Sequence, residues 1–272
     1  MDGRPIGVFD SGLGGLTVVR ALIDLLPDEH LVYFGDTGRF PYGPKPREEV
    51  LKYSFQITEL LMGHDVKLVV VGCNSAAAAA LTELRGRYEV PLTGVIEPGL
   101  RAAAKATRTG RIGVIGTVGT IASGAYQRAA EALRPGVELT CAACPGFVEF
   151  VEAGDVDSDQ VFVLAERLLA PVKAAEVDTL VLGCTHYPLL ARTIADVMGP
   201  SPNGDSVVLV SSGEETAFEV AALLDGIGAR RRPGDTAARR AFLTSGDPET
   251  FRTLGSRFLG PEVDAVEAWR WS

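Results

Sequence analysis

The chain has 272 residues, a formal net charge of −9 at pH 7, 46% hydrophobic residues and 22% charged residues. This length predicts about two domains with a substantial buried core. The acidic balance argues against broad binding to nucleic acids or anionic membranes, because both require a cationic surface.

The start of the chain favours a cytoplasmic protein. The first residues, MDGRPIGVFD, run directly into a strand pattern without a basic and an apolar signal region, so we expect no secretory leader. No segment offers about 18 consecutive apolar residues, so no membrane span is predicted. The four cysteines do not form a disulfide framework and are expected to be free thiols in a reducing compartment.

Apolar runs alternate with helical patterns along the whole chain. PIGVFD, HLVYFGD and VKLVVVG are typical of strands, whereas GLTVVRALIDLL, residues 47–63 and SAAAAALTELRGRY are typical of helices. Pro46 suits the position just before the second of these helices. Strands that alternate with helices indicate the α/β class, in which helices cover both faces of a parallel sheet.

The same pattern restarts near the middle of the chain. IGVFDSG at Ile6 resembles IGVIGTVG at Ile112, an offset of 106 residues, and VVVGCNS around Cys73 resembles LVLGCTH around Cys184, an offset of 111. Two landmarks in the same order, with similar offsets, favour an internal duplication over chance similarity between valine-rich strands. We therefore predict two similar parallel-sheet domains related by a pseudo-twofold axis, with an active site in the cleft between them.

The predicted boundary between the domains lies in the segment GVIEPGLRAAAK. After VVLVSSGEETAFEVAALL the tail contains an arginine-rich loop and then a helix opened by Asp247 and Pro248. We assign this tail to the first domain. The predicted domains are therefore 1–97 with 211–272, and 98–210.

Cys73 and Cys184 are the strongest candidates for a chemical role. A single cysteine at a strand end usually packs as a small hydrophobic residue. Here both cysteines follow predicted strands, at the carboxyl end where ligands bind in open α/β sheets. Each is also predicted to open a helix, whose partial positive charge favours a thiolate. That charge lowers a thiol pKa by less than about one unit, so further donors are needed.

Two similar bases on opposite faces of one carbon suit the inversion of a stereocentre. If the predicted domains face each other, one thiolate removes a proton, the carbon becomes planar, and the other thiol returns a proton from behind. A hydrolase would instead pair one nucleophile with a base and an oxyanion hole.

Two glycine-bearing loops have the spacing of anion-binding sites. In SGLGG, Thr17 replaces the third glycine of the dinucleotide motif and Asp10 would repel a pyrophosphate, so we reject a Rossmann cofactor site. SGLGG and GTVGT can still cradle a smaller anion, such as a carboxylate, at a helix N-terminus. Neither is a Walker A motif.

The remaining candidate groups have ordinary structural interpretations. Cys141 and Cys144 have redox or zinc spacing, but no second pair of ligands completes a metal site. No lysine is predicted at the carboxyl end of a strand, which argues against a pyridoxal Schiff base. His186 is equally open to a core role and to proton transfer. Glu152 is, on sequence alone, typical of a solvated helix charge. We expect no metal and no cofactor.

Five segments together resemble the glutamate racemases, which belong to the cofactor-independent aspartate/glutamate racemase family. They are GVFDSGLGGLTV, GDTGRFPYGPKP, VGCNSA, GVIGTVGT and LGCTHYPLL. The resemblance runs from Ile6 to about Thr216. It implies interconversion of L- and D-glutamate without a cofactor, supply of D-glutamate for bacterial peptidoglycan, and association into a homodimer.

The resemblance also implies roles for individual residues. Cys73 and Cys184 would be the alternating bases, with Asp10 assisting the first, and with Glu152 and His186 assisting the second. The implied substrate contacts are Asp10, Ser11, Tyr42, Gly43, Asn74, Ser75, Thr117, Thr120, Thr185 and His186.

Two departures from the family pattern and two alternative functions accompany this interpretation. The family commonly has threonine where this chain has Ser75, and serine keeps the hydroxyl. The N-terminal extension that some members use for activation by a cell-wall precursor is absent, so we do not expect that regulation. A racemase of aspartate or a related amino acid is the alternative within the class. A non-catalytic protein that binds a ligand in the same cleft, or binds a protein partner, is the alternative outside it.

Overall fold

A computed structural model of the chain describes residues 2–132, 136–201, 203–232, 234 and 237–271. The chain divides into two compact units, each with its own sheet. The first unit extends to Val95 and resumes at Gly213, and the second comprises Ile96–Ser212. Within the described ranges, every helix is too short or too polar to cross a lipid bilayer.

Both sheets are parallel throughout. The strands are β1 (Ile6–Asp10), β2 (Leu31–Gly35), β3 (Leu68–Val71), β4 (Leu92–Gly94), β5 (Arg111–Gly116), β6 (Glu138–Ala143), β7 (Thr179–Gly183), β8 (Val208–Ser211), β9 (Arg240–Thr244) and β10 (Val266–Ala268). Their order is β10-β9-β2-β1-β3-β4 in the first unit and β6-β5-β7-β8 in the second. All neighbouring strands pair in the parallel sense. The predicted α/β class is confirmed.

Helices connect the strands. They are α1 (Leu16–Leu25), α2 (Arg47–Gly63), α3 (Asn74–Arg87), α4 (Ile96–Ala106), α5 (Val118–Ala122), α6 (Ala125–Ala130), α7 (Phe147–Ala153), α8 (Asp159–Ala174), α9 (Ala191–Met198), α10 (Ser212–Gly226) and α11 (Pro248–Leu259). The helix predicted over 47–63 has these bounds in the structure. Asp247 caps α11 by accepting the backbone N–H of Thr250 at 2.8 Å.

The two units repeat one strand order. The order β2-β1-β3-β4 in the first unit corresponds to β6-β5-β7-β8 in the second. The first strands of the two units, β1 and β5, both occupy the second position in this order. This repetition places β3 and β7, the strands that precede Cys73 and Cys184, in equivalent positions. The first unit differs by its two extra strands, which the C-terminal tail supplies beside β2.

Continuous burial explains the composition of the central strands. Every residue of β1, β3 and β7 is buried, as expected for parallel strands covered on both faces. The helix α1 buries one apolar face and packs beside α11. The residues predicted for that face, Leu16, Val19, Leu22, Ile23 and Leu26, are all buried.

A buried ion pair joins the tail to the first sheet. Lys67 Nζ lies 2.6 Å from Glu29 Oε2 and donates to the carbonyl of Ala229 at 2.8 Å. The second oxygen of Glu29 accepts the backbone N–H of Arg231 at 2.8 Å. Both charged side chains are buried, so loss of either partner would leave an uncompensated charge in the core.

Asp178 organises the loop that leads into β5. One carboxylate oxygen accepts the hydroxyl of Thr107 at 2.5 Å, and the other accepts the backbone N–H groups of Arg108 at 2.8 Å and Thr109 at 2.7 Å. Burial disfavours the ionised form, but these donors outweigh it and lower the pKa of Asp178 to about 2.

Asp178→Asn is expected to destabilise the protein by about 2 kcal/mol at pH 7, because the amide is neutral and replaces one of the two accepting oxygens with an NH₂ group. A pKa below the unfolded value of about 3.9 stabilises the fold above that pH, and the contribution is lost as the pH falls towards 2. Urea unfolding, monitored by circular dichroism, gives the free energy of unfolding of both proteins. The difference in this free energy between wild type and variant should therefore become smaller from pH 5 to pH 3.

Asp205→Asn is the matched control, since it removes only an exposed partner of Arg108. It should change the free energy of unfolding by less than about 0.5 kcal/mol. An effect of Asp178→Asn as small as that of the control would contradict this account.

Candidate active site

The first unit gathers five predicted site residues at the carboxyl ends of two neighbouring strands. Asp10 is the last residue of β1, and Ser11 follows it. Cys73 is the N-cap residue of α3, and Asn74 and Ser75 are the first residues of that helix. All five side chains are buried. Because β1 pairs with β3, these residues form one cluster, as the sequence predicts for ligand-binding strand ends.

Cys73 is a buried thiol beside a carboxylate. Its Sγ lies 3.5 Å from the hydroxyl oxygen of Ser11 and donates a hydrogen bond to it. Burial, and after it the negative charge of Asp10, raises the pKa of Cys73 to about 12. The resting thiol is therefore protonated at neutral pH, despite its place at a helix N-terminus.

The glycine-rich loop after β1 forms a hydrogen bond with the side-chain carboxylate of Asp10. Gly12 donates its backbone N–H to Oδ1 of Asp10 at 2.8 Å, and its carbonyl accepts the hydroxyl of Tyr33 at 2.9 Å. A Cβ atom at Gly15 would lie 2.5 Å from Cβ of Asp10. Glycine is therefore required at this position for α1 to begin so close to Asp10.

Tyr42 is anchored by its side chain. Its hydroxyl donates a hydrogen bond to Oδ2 of Asp36, and its ring centroid lies 5.6 Å from that of Tyr53. Burial, and after it the charge of Asp36, raises the pKa of Tyr42 well above its usual value. Since the hydroxyl is bound to Asp36, the backbone of Tyr42 and of the buried Gly43 is the part of this loop suited to hold a ligand.

The sequence motifs do not single out Asp36, although the structure places it at the centre of this loop. It follows β2 directly, as Asp10 ends β1, and its side chain is fully buried. The signal in the sequence is an aspartate immediately after an apolar strand, in GDTGRF.

The second unit joins Cys184, His186 and Glu152 in one chain of contacts. His186 Nδ1 lies 3.9 Å from Cys184 Sγ, and His186 Nε2 lies 2.7 Å from Oε1 of Glu152. With Nε2–H donating to the carboxylate, Nδ1 is the ring atom that accepts from the thiol. Cys184 and His186 are buried. Glu152, which the sequence alone suggests to be a solvated charge, is instead paired with a buried histidine.

Threonine hydroxyls lie at the end of β5, the neighbour of β7. Thr117 caps α5 by accepting the backbone N–H of Thr120 at 3.2 Å, and the two hydroxyl oxygens are 2.9 Å apart. Thr185 follows Cys184 and is buried. The predicted polar residues of the second unit therefore lie at the carboxyl ends of adjacent strands.

One local prediction is wrong. Cys184 does not open a helix: it occupies a bend after β7, and a short 3-10 helix, Tyr187–Leu190, precedes α9. Pro188 lies at the start of that 3-10 helix and has no backbone N–H to donate. The helix-dipole argument therefore applies to Cys73 alone, and His186 is the polar partner placed beside Cys184.

The other two cysteines are also free thiols. Cys141 lies in β6 and Cys144 directly after it, where its carbonyl accepts the hydroxyl of Tyr187 at 3.0 Å. Burial, and after it the charge of Cys184, raises the pKa of Cys144 to about 12. In the ranges that the structure describes, no group of three or more histidine, cysteine or acidic side chains is placed to bind a metal.

The raised pKa of Cys73 predicts an unusual alkylation profile. Because only the thiolate reacts, labelling of Cys73 by iodoacetamide should be very slow at pH 7 and should rise about tenfold per pH unit up to pH 10. An ordinary thiol levels off near its pKa of about 8.5. Peptide mass spectrometry measures the rate, with glutathione as the reference thiol. A plateau for Cys73 below pH 9 would contradict the burial argument.

Comparison with known proteins assigns the chain to a family. Residues 6–217 match the sequence profile of the Asp/Glu/hydantoin racemases. The chain belongs to this family. The membership predicted from the five motifs is thereby confirmed, and the chain is an enzyme of the racemase class.

Individual members of the Asp/Glu/hydantoin racemase family match nearly the whole chain. The glutamate racemase of Mycobacterium leprae (strain TN) is 53% identical over 266 residues, which cover 98% of this chain and 96% of that protein. The crystal structure of glutamate racemase isoform RacE1 from Bacillus anthracis has a TM-score of 0.91 and 39% identity, over 100% of this chain and 98% of that one. Glutamate racemase from Francisella tularensis subsp. tularensis SCHU S4, crystallised with D-glutamate, has a TM-score of 0.90 and 31% identity, over 99% of this chain and 98% of that one.

Proposed function

We propose that this enzyme interconverts L- and D-glutamate without a cofactor, with Cys73 and Cys184 as two alternating bases. The observation that carries the proposal is the repetition of the site: each unit has a buried thiol just beyond equivalent strands, β3 and β7. A racemase that acts on both enantiomers needs one base for each face of the substrate carbon.

The proposal requires the two sulfurs to face one substrate. We take the predicted domains, 1–97 with 211–272 and 98–210, to be related by a pseudo-twofold axis, with the site in the cleft between them. The repeated strand order supports one part of this proposal, namely that the two thiols occupy equivalent places within their own units.

The proposed reaction is two proton transfers at the α-carbon. When the substrate binds, one sulfur is a thiolate and the other a thiol. The thiolate takes the α-proton, and the electron pair remains on a planar carbon conjugated with the α-carboxylate. The opposite thiol then gives its proton to the other face, which forms the enantiomer and exchanges the charges of the two sulfurs.

Flanking groups adjust the protonation of each sulfur. With a pKa of about 12, Cys73 must be assisted to become a thiolate when the substrate binds, and Asp10, whose charge acts on this thiol, is the group that we propose for that role. Once formed, so basic a thiolate is well matched to the weakly acidic α-proton. On the other side, His186 accepts the proton of Cys184 through Nδ1, and Glu152 stabilises the resulting imidazolium.

The polar lining of both strand ends suits an anionic substrate with a second carboxylate. The backbone N–H groups at the start of α3 and the backbone of Tyr42 and Gly43 are donors in the first unit. Further donors are the hydroxyls of Ser11, Ser75, Thr117, Thr120 and Thr185 and the amide of Asn74. The relative from Francisella tularensis was crystallised with D-glutamate. Supply of D-glutamate for peptidoglycan, a cytoplasmic location and a homodimer belong to the same proposal.

The decisive experiment incubates the purified protein with L- or D-glutamate in the absence of any added cofactor. The circular dichroism signal of glutamate should fall to zero whichever enantiomer is supplied. In D₂O the α-carbon of glutamate should acquire deuterium. Aspartate is the comparison substrate and should react far more slowly. Faster turnover of aspartate would replace the proposed substrate, whereas no deuterium exchange with either amino acid would refute the proposed function.

A further inference from the structure

Arg39 links the proposed substrate loop to the end of the chain. Its guanidinium carbon lies 4.0 Å from the ring centroid of Tyr53 and 4.0 Å from that of Trp271, so it is in cation–π contact with both rings. Its Nε donates to Oδ2 of Asp36 at 2.7 Å, and Nη1 donates to Gln56 at 2.6 Å. The planar guanidinium thus has a fixed position and orientation.

The C-terminal segment holds Trp271 against the first sheet. β10 pairs with β9, and the next residue, Trp269, donates its backbone N–H to the carbonyl of Thr244 at 2.7 Å. The ring of Trp271 then packs edge-on against Phe34 of β2, with 5.4 Å between centroids. Its indole N–H donates to Oδ1 of Asp36 at 3.3 Å.

Asp36 collects donors from three separate parts of the first unit. Oδ1 accepts the hydroxyl of Ser245 at 2.5 Å and the indole of Trp271, and Oδ2 accepts Arg39 and the hydroxyl of Tyr42. Since this carboxylate is fully buried, its geometry depends on all four partners. Tyr42, in turn, is fixed through its hydroxyl by Asp36.

We propose that Trp271 is a positioning residue for substrate binding. By stacking on Arg39 and donating to Asp36, it holds Tyr42, and thereby the backbone of Tyr42 and Gly43, in the place that receives the substrate. This inference rests on the proposed function, in which that backbone contacts glutamate. Trp271 touches no reacting atom, so its loss affects the binding of glutamate more than the proton transfers.

The kinetic test separates KM from kcat. Trp271→Ala should raise KM for both enantiomers roughly tenfold and change kcat less than about twofold, because it removes one cation–π contact and one hydrogen bond to a charged group. Trp271→Phe keeps an aromatic ring over Arg39 but lacks the N–H donor, so its KM should lie between those of alanine and wild type. Arg270→Ala, an exposed change in the same tail, is the matched control and should keep both constants.

A second readout does not depend on turnover. Amide hydrogen exchange in the peptide that spans Asp36–Lys45 should become faster in Trp271→Ala and in Arg39→Lys, which keeps the charge but not the planar stacking group. If Trp271→Ala does not fold, Trp271→Phe and Arg39→Lys must give the rise in KM and the faster exchange.

Wild-type KM and wild-type exchange in the folded variants would overturn the inference. Failure of the wild-type protein to turn over glutamate would instead refute the proposed function, and the exchange measurement would still decide whether Trp271 holds the loop.

Discussion

Cys73→Ala and Cys184→Ala are each expected to abolish racemisation of glutamate in both directions, by at least about a thousandfold. The proposed reaction inverts the α-carbon only if one sulfur removes a proton and the other supplies one. Each variant lacks one of these groups, so neither enantiomer can be converted into the other. The loss is measured by circular dichroism at saturating glutamate.

Solvent exchange distinguishes loss of one base from general damage to the site. Each alanine variant keeps one sulfur, which can remove the α-proton of one enantiomer and return solvent deuterium to the same face. Cys73→Ala and Cys184→Ala should therefore exchange opposite enantiomers without inversion. Cys141→Ala, a change at a half-buried thiol in β6, should retain wild-type racemisation. Near wild-type racemisation by either site variant would exclude the two-base mechanism.

His186→Asn is expected to lower kcat/KM about a hundredfold, because the proton of Cys184 loses the ring nitrogen that accepts it. Racemisation uses both bases in either direction, and the two enantiomers are equal in free energy. The loss in kcat/KM must therefore be the same from L- and from D-glutamate. Initial rates from each enantiomer test this equality.

Glu152→Gln should have a smaller effect of the same kind, since it keeps a hydrogen-bond acceptor for His186 but removes the charge that stabilises the imidazolium. Glu149→Gln is the control on the same helix, at an exposed carboxylate. Unchanged activity of His186→Asn, or an equal loss in the Glu149 variant, would show that this contact does not handle the proton.

The sequence predicts the elements whose signal is local. The run of apolar residues in β1, the helical spacing in α1 and Asp247 before Pro248 in α11 each indicate their structure within a few residues. The duplicated motifs also predict that Cys73 and Cys184 follow equivalent strands. This prediction is possible because each motif is a short continuous segment that can be compared directly with its copy.

Contacts between distant segments are not predictable in this way. Asp36 binds Trp271 and Ser245, which are more than two hundred positions away, and no spacing in the sequence relates them. The pairing of Glu152 with His186 depends on how α7 packs beside the end of β7. The bend at Cys184 is not predictable for a different reason: an apolar segment after a strand is typical of a helix, and Pro188 permits a 3-10 turn as well.

The position of β9 near the end of the chain has a consequence for folding during synthesis on the ribosome. The hydroxyl of Thr244 in β9 donates to the carbonyl of Gly35 in β2 across 209 positions, whereas all four strands of the second unit lie within one continuous stretch. Nascent chains acquire compact structure from segments already emerged. The second unit can therefore fold while the edge of β2 in the first sheet is still unpaired, because β9 has not yet been synthesised. We expect this open edge to bind chaperones or to pair with a strand of another nascent chain on the same polysome.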